Sequence, residues 1–192
     1  MKPPSGETRK ERDLLGDRDV PRNALYGIQT LRAMENFAIS GVELREFPTL
    51  VSAIAAVKEA AAESNRDLEI LEPEIADALV AACREIRSGQ HHEHFRVDMI
   101  QGGAGTSTNM NANEVISNRA IEIAGGVMGS KKPVHPNDDV NMSQSSNDTF
   151  PTAMYIAAAE RLHALSPTVQ TVFEAIDGKA KEFADVVKIG RT

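Results

Sequence analysis

The chain has 192 residues, enough for one domain with a real hydrophobic core. Its 41% hydrophobic and 26% charged residues are ordinary for a globular protein, and its formal net charge of −7 excludes the basic face that broad binding to nucleic-acid backbones requires. With six Phe, two Tyr, no Trp and abundant alanine, the composition favours closely packed helices over a β-sandwich.

The N-terminal stretch MKPPSGETRKERD is polar throughout and carries no hydrophobic region of a secretory signal, so residues 1–12 are expected to form a flexible tail. No apolar run reaches the roughly 18 residues that a membrane helix needs, and a cytoplasmic protein without membrane or nucleic-acid partners is expected. From Leu14 to Ala38, turn signals at Gly16, Pro21 and Gly27 punctuate mixed apolar residues, a pattern for a short β-hairpin or irregular segment followed by a turn of helix. From Pro48 to about Asn65, Leu50, Ile54, Val57 and Ala61 recur at helical spacing. Pro73 suits the first turn of a second helix with the face Ile75, Leu79, Ala82 and Ile86, ending near Gly89. Cys83, the single cysteine, lies on that apolar side; it excludes an intrachain disulfide, fits a reducing compartment, and is expected to be buried and inert. The segment QHHEHFR reads as a loop. Its histidines His91, His92 and His94 lack the i, i+4 spacing of helical zinc sites, so no metal site is assigned.

Two unusually polar runs follow. QGGAGTSTNMNANE (Gln101 to Glu114) precedes a predicted helix NANEVISNRAIEIAG with Val115, Ile116, Ile121 and Ile123 apolar. HPNDDVNMSQSSNDTFPT (His135 to Thr152) precedes a helix expected to start at Pro151 with Asp148 or Thr149 as its cap. Both are read as loops, because so many hydroxyls and carboxamides need hydrogen-bond partners and cannot build a core. Lys and Arg are nearly absent from them, so they offer neutral donors to a small anion. GGAGT lacks the lysine of a P-loop and the spacing of a dinucleotide-binding turn. Gly103 and Gly105 nevertheless allow close approach of backbone N–H groups, with Thr106 and Ser107 adding hydroxyls, and a plain tight turn is the alternative. Ser145, Ser146 and Asn147 stand just before a helix start, where free N–H groups and the helix dipole favour anions; simple capping is the competing explanation. His135-Pro-Asn-Asp reads first as a turn.

The last predicted helix runs past Ser166-Pro167, where a kink or break is expected. Beyond it Val169, Val172, Phe173, Ile176, Ala180, Phe183 and Val187 form one long stripe that needs a partner. The residues alone describe a helical protein with a donor-rich anion pocket.

Taken together in order, QGGAGTSTNMNANEV and HPNDDVNMSQSSNDTFPTA resemble the aspartase/fumarase superfamily, and within it the aspartate ammonia-lyases. DLLGDRDVPRNALYGIQTLRAMENFAISG (Asp13 to Gly41) and KEFADVVKIGRT (Lys181 to Thr192) are similar to further segments of that family, so the resemblance covers nearly the whole chain beyond the tail. It implies a mainly α fold: a helical N-terminal domain with a minor β-hairpin over residues 13–148, leading at 149–192 into the first long helix of a central helical bundle. It implies anti-elimination of ammonia from L-aspartate to fumarate through an aci-carboxylate intermediate, without metal or other cofactor, in a homotetramer whose sites draw on three subunits. By residue, the resemblance implies substrate contacts for Thr106, Ser145, Ser146, Asn147 and Thr192, support from Gly103, Gly105 and Ser107, and a secondary dicarboxylate site at His135, Asn137 and Asp138. SQSSND with HPNDD is fumarase-like, whereas GGAGT and YGIQTLRAMENF are aspartase-like, so a class II-type fumarase is the alternative. The family's serine-bearing base loop has no counterpart here. The chain is therefore expected to hold only part of a site, without a catalytic base, and to be inactive alone. A non-catalytic dicarboxylate-binding fragment and a helical interaction module using the 169–187 stripe are the other classes.

Overall fold

In the computed structural model, which describes residues 6–103 and 105–191, an antiparallel hairpin pairs β1 (Thr8–Asp13) with β2 (Gly16–Pro21). Thr8–Arg12, read from sequence as part of a tail, thus form a strand. Gly16 makes the turn at φ +106°, a conformation open to glycine. The hairpin is held by Arg9, whose guanidinium donates to the carbonyls of Ala24 at 2.7 Å and Tyr26 at 2.8 Å.

Five α-helices follow: α1 (Ile28–Asn36), α2 (Pro48–Asp67), α3 (Pro73–Arg87), α4 (Thr106–Ile123) and α5 (Ser146–Glu182). The mainly helical architecture with a small hairpin is the one the sequence predicts. Proline stands at the start of α2 and α3, where its missing N–H is not needed. Val51, Ile54, Leu79, Ile86, Ile116 and Ile121 are fully or almost fully buried in one core of α2, α3 and α4, each worth about 1.5–3 kcal/mol of apolar burial. Charged clamps join these helices. Glu59 of α2 accepts from Arg84 and Arg87 of α3 at 2.7 and 2.6 Å, and Glu85 of α3 accepts from Arg119 of α4 at 2.6 and 2.9 Å. Cys83 is fully buried, as expected, and burial pushes its thiol pKa up.

The start of α1 has no side-chain cap of its own. Glu114, buried on α4, accepts from the N–H groups of Gly27 at 2.9 Å, Gln29 at 2.8 Å and Thr30 at 3.0 Å, and Glu11 of β1 accepts from Ile28 N at 2.9 Å. Two carboxylates thus occupy a helix N-terminus, where the dipole favours negative charge.

Three expectations are corrected. The first polar run is mostly helix: α4 begins at Thr106, five residues before the predicted Asn111, and Thr108, Asn109, Asn111, Asn113 and Glu114 are buried. Its carboxamides are interior partners for backbone that has no ladder. Asn111 takes Arg96 N at 2.9 Å and gives to His94 O at 3.0 Å, while Asn118 gives to Leu25 O at 2.7 Å. Ile123, the last apolar residue of this helix, is 40% exposed. Helix α5 starts at Ser146, not Pro151, and continues without a break through Pro167. Thr171 Oγ1 donates to Pro167 O at 3.0 Å, one turn back.

The chain forms two compact units, one ending at Ala157 and the other beginning at Ala158. In the second, Val169, Val172, Phe173, Ile176, Phe183 and Val187 are all more than half exposed. No helix among the described residues is long and apolar enough to cross a membrane.

Candidate functional site

The first unit brings the two polar runs together. Gln101 closes the approach to α4: its carboxamide oxygen accepts from Thr108 N at 2.9 Å, and its nitrogen donates to Thr108 Oγ1 at 2.7 Å and Asp98 O at 3.1 Å. Asp98 in turn gathers Ile39 N, Ser40 N, Gly41 N and Ile100 N at 2.7–3.2 Å. The Ser40 hydroxyl, at 2.6 Å, is the main reason its carboxyl lies well below the usual carboxylate range. Gly103 and Gly105 both have positive φ, +73° and +78°. Gly105 is the cap residue of α4, and the ring of Phe150 occupies the space a side chain there would fill. Thr106 is exposed at the first helical position and Ser107 is half-buried beside it. First-turn N–H groups of a helix lack intrahelical partners and point outward from its start.

The second run builds the start of α5. Ser145 caps it: its carbonyl accepts from Asp148 N at 3.0 Å and Thr149 N at 2.9 Å, and its hydroxyl accepts from Asn147 N at 3.3 Å. The cap therefore lies three residues before Asp148, and Thr149 is buried in the helix. Ser146 Oγ accepts from Asn109 Nδ2 at 3.0 Å, which leaves its O–H able to donate. Ser145 and Asn147 are exposed. Thr192, expected at the same pocket, lies outside the described residues.

Behind this surface is a buried polar network. Asn141 Oδ1 accepts from Lys58 Nζ at 3.0 Å, Asn109 Nδ2 at 2.9 Å and Asn113 Nδ2 at 3.3 Å. Lys58 is 1% exposed, and desolvation pulls its pKa down to about 7. Asn65 Nδ2 adds a bond to Met142 O at 3.1 Å, and Asn141 Nδ2 one to Gln144 O at 3.2 Å. Sequence reasoning missed Lys58, Asn109 and Asn141. One signal was available: Val51, Ala55, Lys58, Ala62 and Asn65 form the buried phase of α2, so a lysine and an asparagine sit at core positions of an amphipathic pattern.

His135 and Asp138 lie together, with Nδ1 3.2 Å from Asp138 Oδ2, within one turn. The His135 ring faces its own turn, with Nδ1 accepting from Asn137 N at 3.3 Å and Asp138 N at 3.2 Å, at the start of a π-helical turn over Pro136–Val140. Asn137 lines a separate cleft of about 550 Å³ with Arg12, Asp13, Gln29 and Lys131. His91, Glu93 and His94 hold potential ligand atoms within 4.8 Å of one another. Their rings also serve the fold: His91 Nε2 lies 2.8 Å from Glu85 Oε2, and His94 Nδ1 accepts from Leu25 N at 3.4 Å.

A family model described as "Lyase" matches residues 16–192. The chain belongs to this lyase family, within the aspartase/fumarase superfamily. It is 54% identical over 185 residues to mitochondrial fumarate hydratase of Danio rerio, which covers 96% of this chain and 36% of that protein. It is 51% identical over 189 residues to aspartate ammonia-lyase of Pseudomonas aeruginosa, covering 98% of this chain and 40% of that protein. The crystal structure of fumarate lyase:delta crystallin from Brucella melitensis superposes with a TM-score of 0.92 at 52% identity, covering 97% of this chain and 43% of that one. The chain thus spans about two-fifths of the length of these relatives.

Proposed function

We propose that the starts of α4 and α5 form the dicarboxylate-binding wall of a lyase active site that releases fumarate, with L-aspartate as substrate and ammonia as leaving group. The observation that carries this reading is the joined pair of helix starts. Asn109 ties Ser146 to α4, and Thr106, Ser145 and Asn147 present exposed neutral polar groups around that joint. Elimination from a succinyl-type substrate begins with removal of a proton next to a carboxylate. The carbanion is stabilised when that carboxylate takes up the electron pair as an aci-carboxylate, which carries two negative charges. Donors fixed in advance around it lower the barrier as an oxyanion hole does. Hydroxyls, carboxamides and helix N–H groups supply that stabilisation without the net charge that would hold fumarate too tightly.

In this reading Thr106, Ser145, Ser146, Asn147 and Thr192 bind substrate, no residue of this chain is the base, and the complete cytoplasmic site is assembled in a homotetramer. A second reading, a class II-type fumarate hydratase acting on malate, is favoured by the run SQSSND and by the fumarate hydratase relative. An assay of fumarate release from L-aspartate and from L-malate separates them. The chain is tested alone and together with a polypeptide matching the rest of its relatives' length. The proposal expects no turnover alone and aspartate turnover in the combination. Turnover of malate only would give the second reading, and turnover of neither would reject both.

A further inference from the structure

Among the described residues Lys58 has no carboxylate partner, and it is the largest fully buried side chain. An interior ammonium facing only neutral groups is costly unless its N–H donors are satisfied. Its Nζ donates to Asn141 Oδ1, and that same oxygen is shared with Asn109 and Asn113 of α4. Asn109 continues the chain of bonds to the Ser146 hydroxyl. Asn141 Nδ2 meanwhile holds Gln144 O, fixing the turn that delivers Ser145 to its capping position. An ammonium carries three N–H donors, and the carboxamide oxygens of Asn109 and Asn113, on the side chains beside it, have no partner among the described residues. The polar groups clustered there match a donor that comes from α2.

We propose that Lys58 is a positioning residue for the anion pocket: through Asn141 and Asn109 it fixes the segment from Asn141 to Asn147 and aims the Ser146 hydroxyl. Its functional meaning rests on the dicarboxylate-lyase reading above, but its structural content does not. The titratable group acting on it is the Cys83 thiol of α3, which burial keeps protonated. Helix α4 and the 141–147 segment offer it carboxamides. A lysine of this kind lies beneath the ligand surface and never touches substrate.

The test is amide hydrogen exchange on the full chain, comparing the unaltered protein with Lys58→Met, which fills the aliphatic part of the side chain's space but removes every donor. The reporters are the hydrogen-bonded amides of Gln144, Asp148 and Thr149. Loss of a charge-assisted hydrogen bond predicts that they exchange about tenfold faster, while the amides of α3 keep their protection and the urea midpoint stays or rises. Unchanged exchange at the reporters would overturn the proposal. So would an equal acceleration through α2, α3 and α4, which marks a residue that only stabilises the fold. Should Lys58→Met fail to fold, Lys58→Gln, a shorter neutral donor, is read at the same amides with the same two criteria. Exchange needs no ligand, so failure of the unaltered protein to bind fumarate would reject the functional reading and leave this result standing.

Discussion

Asn109 Nδ2 donates to Ser146 Oγ at 3.0 Å, which joins the first turn of α4 to the first residue of α5 across 37 positions of sequence. The hydroxyl oxygen of Ser146 accepts that bond, so its O–H is left to donate elsewhere, and in the proposed reading to a bound dicarboxylate. Ser146→Ala should therefore lower affinity for fumarate about tenfold with little change in stability, because the side chain is only half-buried. Asn109→Ala should lower affinity and also cost about 1–3 kcal/mol, because Asn109 is fully buried. Calorimetric titration with fumarate, paired with urea denaturation, distinguishes the two patterns.

Gly105→Ala is expected to be the most damaging small substitution in the site. The residue caps α4 at φ +78°, and the Phe150 ring fills the place of a Cβ. A methyl group there forces both an unfavourable backbone conformation and displacement of α5's first turns, a combined cost of roughly 2–5 kcal/mol. Thermal unfolding measures that cost. Gly16→Ala is the control, since its φ is also positive but nothing lies within 4 Å of an added Cβ.

The buried Lys58 makes stability depend on pH. Its folded pKa of about 7 lies below the ordinary 10.5, so between these values the unfolded chain binds more protons than the folded one. Stability linked to this group is fully present above 10.5 and is lost as pH falls through about 7. Urea midpoints of the unaltered protein should rise from neutral pH toward 10.5 relative to Lys58→Met. Parallel curves for the two proteins would show that Lys58 titrates normally.

Glu114→Ala should unfold the start of α1. It removes the acceptor for the N–H groups of Gly27, Gln29 and Thr30 at once, each of which costs about 1–3 kcal/mol when left buried without a partner. Glu114→Gln keeps one oxygen and should recover part of the loss. Circular dichroism and the urea midpoint report both variants.

Much of the fold is legible in the sequence where local chemistry decides it. Pro48 and Pro73 mark the starts of α2 and α3, and the faces of Leu79, Ala82 and Ile86 or Val115, Ile116 and Ile121 lie in the core as their spacing predicts. The start of α4 was illegible because TSTNMNAN has the composition of a loop. Its carboxamides are buried only because distant backbone, such as Arg96 N and Leu25 O, comes to meet them. Helix α5 hides its start for a related reason. Ser145 is one of several equivalent caps, and the closure of Asn109 on Ser146 favours the earliest. Of the site, the exposed donors could be read from their residue types. The supports Lys58, Asn109, Asn141 and Gln101 could not, since each acts through a partner far away in sequence. His135 was legible in part: the turn expected of His-Pro-Asn-Asp is present, and its ring accepts from the backbone of that turn.

Binding of one small dicarboxylate by the starts of α4 and α5 is read most directly by an NMR titration of backbone amides with fumarate. Shift changes are expected to concentrate at Thr106–Asn109 and Ser145–Asn147 and to be lost in Ser146→Ala. Changes confined to Arg12, Gln29, Lys131 and Asn137, or none at either helix start, would contradict it.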